Sequence, residues 1–457
     1  PIRIHRNART LPVHDRTGFE RGNRMKIVIR KTRVSRDGSI TSISDVPVVI
    51  LSLLILISEV PILLRNTPNA VFYGLVILYF VFTINFYLRL DAGKRNTMYL
   101  MLLYFGMITL YKILGISSAA FSYYSTTVKY FFFLVVTVGI FDHLSTGQKK
   151  YLLSVTVLSI LYTVLQNVQL YMRYGASRFA SLFLHERFTT NAVNTAYVTA
   201  LLIFSGILFV VFLHQRKGLI KYAALLLSIL CFVFNTVMAQ RMIILALSVL
   251  MYPLLILFNA RRSRGGLVGS IIILLVLFLV LLNYNYVLNL LERVIRSRRL
   301  SIRIHQLHNY IETGDLEETG GSLAARSRLM WLSVQSWFSS VLNFFFGVGD
   351  HRGNNTIIGN HSHFLDEMAR YGLFGSFIWI GLIRSYLKQI FACAGVRGNV
   401  RLQQQLHVLF FVFLLRGLIG AIQEVTIGVQ MFIVLPIVFN LLSEKEAESL
   451  GAASLNS

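Results

Sequence analysis

The densest chemistry in the sequence is Asn360-His361-Ser362-His363-Phe364-Leu365-Asp366-Glu367, which sets two histidines beside two carboxylates. Imidazole accepts or donates a proton near neutral pH, so His361 and His363 are candidates for proton transfer, with Asp366 and Glu367 as neighbouring carboxylates. His-x-His is also a metal signal, but a weak one. No third ligand stands at a suitable spacing, and no metal site is expected. Glycine-rich turns bracket the segment: Phe346-Gly347-Val348-Gly349-Asp350 precedes it and Tyr371-Gly372-Leu373-Phe374-Gly375 follows.

Arginines offer a second chemistry. Arg293, Arg296, Arg298, Arg299 and Arg303 cluster in one segment, and Arg296, Arg299 and Arg303 would share a face of a helix there. Arg173, Arg178 and Arg187 form a second group, and Arg326 and Arg328 a third. Arg241 stands alone between two apolar runs, in Met238-Ala239-Gln240-Arg241. A guanidinium fork suits phosphate or diphosphate. The plainer alternatives are lipid headgroups, solvent and, for Arg241, snorkelling to the interface. An ionisable residue at the edge of an apolar bundle favours function for Arg241.

These groups must be positioned by apolar elements. Of the 457 residues 55% are hydrophobic and 14% charged, against about 25% charged in soluble domains. Lipid must therefore solvate much of the surface. Apolar runs fall near 46–64, 68–88, 97–116, 127–143, 151–170, 196–213, 219–238, 241–258, 267–286, 372–392, 405–422 and 426–442. The expected fold is an all-α integral membrane protein with about twelve transmembrane helices and a large outer loop containing short helices. No internal repeat is evident. The net charge of +24 sits mainly between the runs, so it points to anionic lipid and not to nucleic acid.

Alternate connections carry Arg89, Lys94 and Arg95; Lys149 and Lys150; Arg216, Lys217 and Lys221; Arg261, Arg262 and Arg264; and Arg384, Lys388, Arg397 and Arg401. The positive-inside rule then gives a basic cytoplasmic tail over 1–45, nine spans over 46–286, an outer loop over 287–371 as the candidate place for chemistry, three spans over 372–442 and a cytoplasmic tail over 443–457. Residues 323–341 have helical apolar spacing with Trp331 and Trp337, the pattern of an interfacial helix. Residues 1–24 are polar and aperiodic, with Met25 a candidate natural start, and the first run lacks a cleavage site. Cys231 and Cys393 show no redox or zinc spacing, and no disulfide is expected.

The run Arg326-Ser327-Arg328-Leu329-Met330-Trp331, the Gly347-Val348-Gly349 turn, and His361-Ser362-x-Phe364-Leu365 with Gly372 and Gly375 together resemble the signature of the O-antigen ligase and polymerase superfamily. The motif-bearing part lies within residues 236–380. The resemblance implies an integral membrane glycosyltransferase that takes a polyprenyl-diphosphate-linked glycan as donor and a glycan or lipid-linked acceptor. It implies no metal and no other cofactor, and it admits a chain-length regulator protein as a partner. By the family pattern His361 matches the functional histidine, Arg241 the arginine of a tight outer turn, and Arg328 the loop arginine. His363 has no counterpart in the pattern.

His-Ser followed by Phe-Leu-Asp is closer to capsule and O-antigen polymerases than to ligases, which more often carry His-Asn. The resemblance thus implies polymerisation of lipid-linked repeat units on the outer face of a bacterial cytoplasmic membrane. Transfer of finished glycan to lipid A core is the alternative, and a transporter or flippase of lipid-linked glycan is the rival of another class. A flippase should carry charges deep in several spans, whereas the charges singled out here concentrate on one side. The expected catalytic set is His361, Arg241, Arg328 and Asp366, with Arg296, Arg299, Arg303, Arg326, Arg178 and His363 binding substrate. Arginines can stabilise a departing diphosphate without a metal ion. Either His361 takes the proton of the acceptor hydroxyl, or Asp366 or Glu367 does so while His361 positions the acceptor.

Overall fold

The computed structural model describes residues 43–114, 121–185, 191–215, 217–235, 242–260, 322–349, 358–396 and 399–455, and every regular element among them is helical. In chain order these are α1 (Asp45–Glu59), α2 (Pro61–Asn66), α3 (Asn69–Tyr87), α4 (Ala92–Ile113), α5 (Phe121–Ile140), a short 3-10 turn (Phe141–His143), α6 (Thr146–His185), α7 (Thr195–His214), α8 (Leu219–Val233), α9 (Met242–Ala260), α10 (Ser322–Trp337), α11 (Val341–Phe346), α12 (His363–Cys393), α13 (Val400–Ile419), α14 (Val425–Val429), a π-helical turn (Gln430–Val434) and α15 (Leu435–Leu455).

Local sequence sets many of these boundaries. Asp91, Asn194, Ser340, Ser362 and Asn399 each cap a helix by accepting the N–H three residues on, which satisfies a donor that has no partner inside the helix. Pro61 opens α2, where its missing N–H is harmless, and it forces the break after Glu59.

Among the described residues, six helical stretches are long and apolar enough to cross a membrane: Asn69–Tyr87, Ser125–His143, Thr146–Tyr174, Tyr197–His214, Val400–Ile419 and Val425–Glu446. Their outward faces agree with that composition. Ile77 and Val81 on α3 and Leu158 on α6 are each 65% exposed, while Phe72, Tyr79, Tyr104 and Phe133 are fully buried. Apolar faces this extensive fit a hydrocarbon solvent and not water. The stretch Val425–Glu446 runs through the middle of the bundle, and α7 packs against α8, α9, α13 and α15.

Helices overlie the described parts of the apolar runs, although the run at 46–64 is split between α1 and α2 and the run at 267–286 lies outside the described residues. Two boundaries differ from the sequence reading. The α6 helix continues to His185, so much of the connection expected over 171–195 is helical. The last residues of the expected outer loop, from His363 on, already belong to α12, which is kinked at Gly372.

The two ends of the bundle differ in chemistry. Lys94 pairs with Asp142 at 2.5 Å, Lys149 donates to Asn440 at 2.7 Å, and His214 meets Glu446 at 2.6 Å, all at one end. The opposite end of α7, where Thr199 meets Arg416, carries the site described next.

Candidate functional site

The kink in α12 is built from two glycines. Gly372 has φ +62° and ψ −162°, a region that favours glycine. A Cβ there would stand 2.5 Å from Gly347 N and from the Phe345 carbonyl. A Cβ at Gly347, whose φ is +80°, would in turn strike the Arg370 carbonyl. The close approach lets Val348 N–H donate to Ala369 O at 2.8 Å and Gly349 N–H to Arg370 O at 3.0 Å. The Phe-Gly-x-Gly turn is thereby pinned to the first two turns of α12, and Tyr111 donates to the Phe346 carbonyl from α4.

A direct consequence is testable. Gly372→Ala should cost about 3 kcal/mol or more, because both strained φ and backbone overlap oppose it. Gly74→Ala, where nothing lies within 4 Å of the added carbon, should be neutral or slightly stabilising. Thermal unfolding in detergent distinguishes them; equal melting points would refute this account of the kink.

His361 sits just before the α12 N-terminus, half-buried, and its Nδ1 lies 2.8 Å from the Asn360 carbonyl. A carbonyl only accepts, so Nδ1 carries the hydrogen, and Nε2 of neutral His361 is left as the proton acceptor. Asn360 is itself constrained, at φ +56°. Its side-chain oxygen accepts from Arg370, and Arg370 also donates to Glu367 Oε1 at 2.9 Å. Glu367 Oε2 accepts from the Tyr104 hydroxyl of α4 at 2.7 Å. A relay of buried Tyr104, Glu367 and Arg370, ending on exposed Asn360, therefore runs from the helical bundle to the backbone beside His361.

Asp366 has a different part. Its Oδ1 accepts from Ser333 of α10 at 2.6 Å and its Oδ2 from Ser362 N–H at 3.1 Å. Ser333 Oγ also accepts from Gly359 N–H at 3.0 Å, and a Cβ at Gly359 would strike the Leu329 carbonyl. Asp366 and Gly359 thus clamp α10 onto the start of α12. That contact brings the Arg326-to-Trp331 run alongside His361. Arg328 is exposed there and Arg326 half-buried. Burial raises the Asp366 carboxyl above its usual range, against the hydrogen bond from Ser333.

His363 points the other way, into the bundle, with its ring 5.2 Å from that of Trp379. Burial pushes its imidazole down to about 4; Glu367 works against this and Arg370 and Arg416 with it. Arg416 reaches the same region from α13, donating through Nε to Thr199 at 2.9 Å. The Glu424 carboxyl is raised to about 7 by burial, which Arg416 opposes. His363 is therefore a buried imidazole that packs beneath the site, with its Nε2 left without a hydrogen-bond partner.

The pH consequence follows from that burial. The unfolded chain protonates His363 below about 6.5 and the folded chain only near 4, so the unfolded state binds more protons between those values. His363 thus contributes stability above that window that is lost as pH falls through it. Glu424 acts in the opposite sense between about 4.5 and 7. Replacing His363 by Gln isolates the first effect. The gap in melting temperature between wild type and His363→Gln should narrow from pH 7 to pH 5, and a constant gap would refute it.

The structure thus packs the helix that carries Arg326 and Arg328 against the segment that carries His361, His363 and Asp366. Arg241, Arg296, Arg299 and Arg303 lie outside the described residues, and the Arg178 side chain is also outside them, although its backbone is part of α6. Sequence reasoning missed Arg370, Tyr104 and Arg416. Arg416 carried a signal, being an arginine inside an apolar run. Arg370 is three residues from Glu367 on one helical face, a spacing that favours an ion pair. Tyr104 had none. No group of three or more histidine, cysteine or acidic side chains among the described residues is arranged to hold a metal. No protein-family model matches this chain, and no curated protein matches it.

Proposed function

We propose that the chain is a bacterial inner-membrane glycosyltransferase of about twelve spans, with its site facing away from the cytoplasm. It would polymerise polyprenyl-diphosphate-linked repeat units. The observation that carries this reading is the presentation of His361: Nδ1 is tied to a fixed carbonyl and Nε2 is left to take a proton. The basic connections gather at the other end of the bundle, which supports an outer position for the site.

In the reaction the acceptor hydroxyl oxygen attacks the anomeric carbon of the donor glycan. The bond from that carbon to the diphosphate oxygen breaks, and its electron pair leaves with the polyprenyl diphosphate. The hydroxyl proton passes to His361 Nε2. Arg328 and Arg326 face the departing diphosphate, joined by Arg241 on the family pattern. His361 is preferred to Asp366 as the proton acceptor, because both Asp366 oxygens already hold α10 against α12.

Two experiments test the reading. A single cysteine at Arg328 should react with an impermeant thiol reagent from outside intact spheroplasts, and one at Lys150 only after lysis; labelling of both from the same side rejects the orientation. Purified protein given lipid-linked repeat units should lengthen the glycan. Transfer only to lipid A core would make it a ligase.

A further inference from the structure

A second buried polar centre lies where two helical irregularities meet. Pro61 breaks the first apolar run immediately after Glu59, and Gln430 opens the π-helical turn in the central helix. Both side chains are fully buried, and Gln430 Nε2 donates to Glu59 Oε1 at 2.8 Å. Glu59 Oε2 and Gln430 Oε1 have no hydrogen-bond partner. The buried Tyr197 hydroxyl also has no hydrogen-bond partner and stands close enough to Glu59 to feel its charge, and Thr163 donates to the Glu59 carbonyl at 3.2 Å.

The helix break adds further oxygens. Pro61 has no N–H, and Ile62 N–H donates to Asn191 Oδ1 at 3.0 Å. The helical donors for the carbonyls of Ile57 and Ser58 are therefore both removed. These carbonyls lie at the C-terminal end of α1, where the aligned peptide dipoles favour positive charge. Discontinuous helices with freed carbonyls beside a buried carboxylate are how membrane proteins hold small cations. A π-turn is a second mark of a functional site.

We propose that Glu59, Gln430, Tyr197 and the end of α1 bind a dehydrated monovalent cation of the sodium class. Charge decides the valence. Glu59 is a single carboxylate, and no ion pair involves it among the described residues, so one positive charge balances it. The number of acceptors argues against a proton. One carboxyl hydrogen serves one acceptor, whereas Glu59 Oε2 and Gln430 Oε1 both lack a partner and the carbonyls of Ile57 and Ser58 have lost their helical donors. A water molecule alone would leave the charge unbalanced. The site does not depend on the glycosyl-transfer reading and is tested without it.

The test is the thermal unfolding of the purified full chain in NaCl against N-methyl-D-glucamine chloride at equal ionic strength. Sodium should raise the melting temperature saturably, by about 2 °C or more well above half-saturation. Glu59→Gln should abolish the response, and Tyr197→Phe, which removes one hydroxyl and keeps the packing, should raise the half-saturating concentration several-fold. Equal melting points of the wild type in the two salts would overturn the proposal. So would a sodium response that both variants retain in full.

Discussion

His361→Ala is expected to lower turnover by about 100-fold or more while the protein still inserts, folds and binds donor. A proton acceptor contributes mainly in the transition state, so kcat should fall with little change in KM. The position of the ring supports that separation. His361 is half-buried outside the bundle, and its ring bonds to the carbonyl of its own neighbour Asn360 and not to another helix, so the fold leans little on it. A histidine that merely stabilised the fold would give the reverse: poor yield, and near-normal turnover in what folded. The assay is turnover per folded molecule, with yield and melting temperature measured on the same preparation.

Arg370→Ala should have the largest effect on stability. The guanidinium and the Glu367 carboxylate are both buried and 2.9 Å apart. Removing one member of such a pair leaves a buried charge and costs about 3–5 kcal/mol. Adding Glu367→Gln to Arg370→Ala removes the stranded charge and should recover part of that loss, which a double-mutant cycle of melting temperatures would show. Arg370→Lys should fold better than Arg370→Ala but lose turnover, because one ammonium cannot reproduce the fork between Glu367 and Asn360. Additive destabilisation in the cycle would mean that the pair is not coupled as described.

The sequence made the helices legible because long apolar runs have few alternatives once lipid is the solvent. It was less informative about where helices end. Hydropathy falls after residue 170, yet α6 continues to His185, since Met172, Arg173, Ala176 and Ala180 all favour helix. The surroundings of His361 were legible because the relevant residues are close in sequence and the glycines mark a turn. The contact that gives those glycines their meaning was not, since Gly347 and Gly372 meet only in three dimensions.

Long-range polar contacts were the other loss. Tyr104 reaches Glu367 from a helix far back in the chain, and nothing in the pattern around Tyr104 distinguishes it from other aromatic residues. Glu59, inside the run at 46–64, was not singled out by the sequence. Its significance comes from the break after it and from Gln430, at opposite ends of the sequence. His363 was expected to bind substrate near His361, from its place two residues on. The start of α12 instead turns one ring outward and the other into the core.

The central claim is that this chain breaks the bond between a glycan and its polyprenyl diphosphate. The most direct measurement is release of polyprenyl diphosphate by purified protein in detergent, with lipid-linked repeat units as both donor and acceptor and a strong chelator present. The account predicts one polyprenyl diphosphate released per glycosidic bond formed, a lengthening glycan, and loss of both in His361→Ala. Movement of intact lipid-linked glycan across vesicles by the same protein, with no diphosphate released, would contradict it.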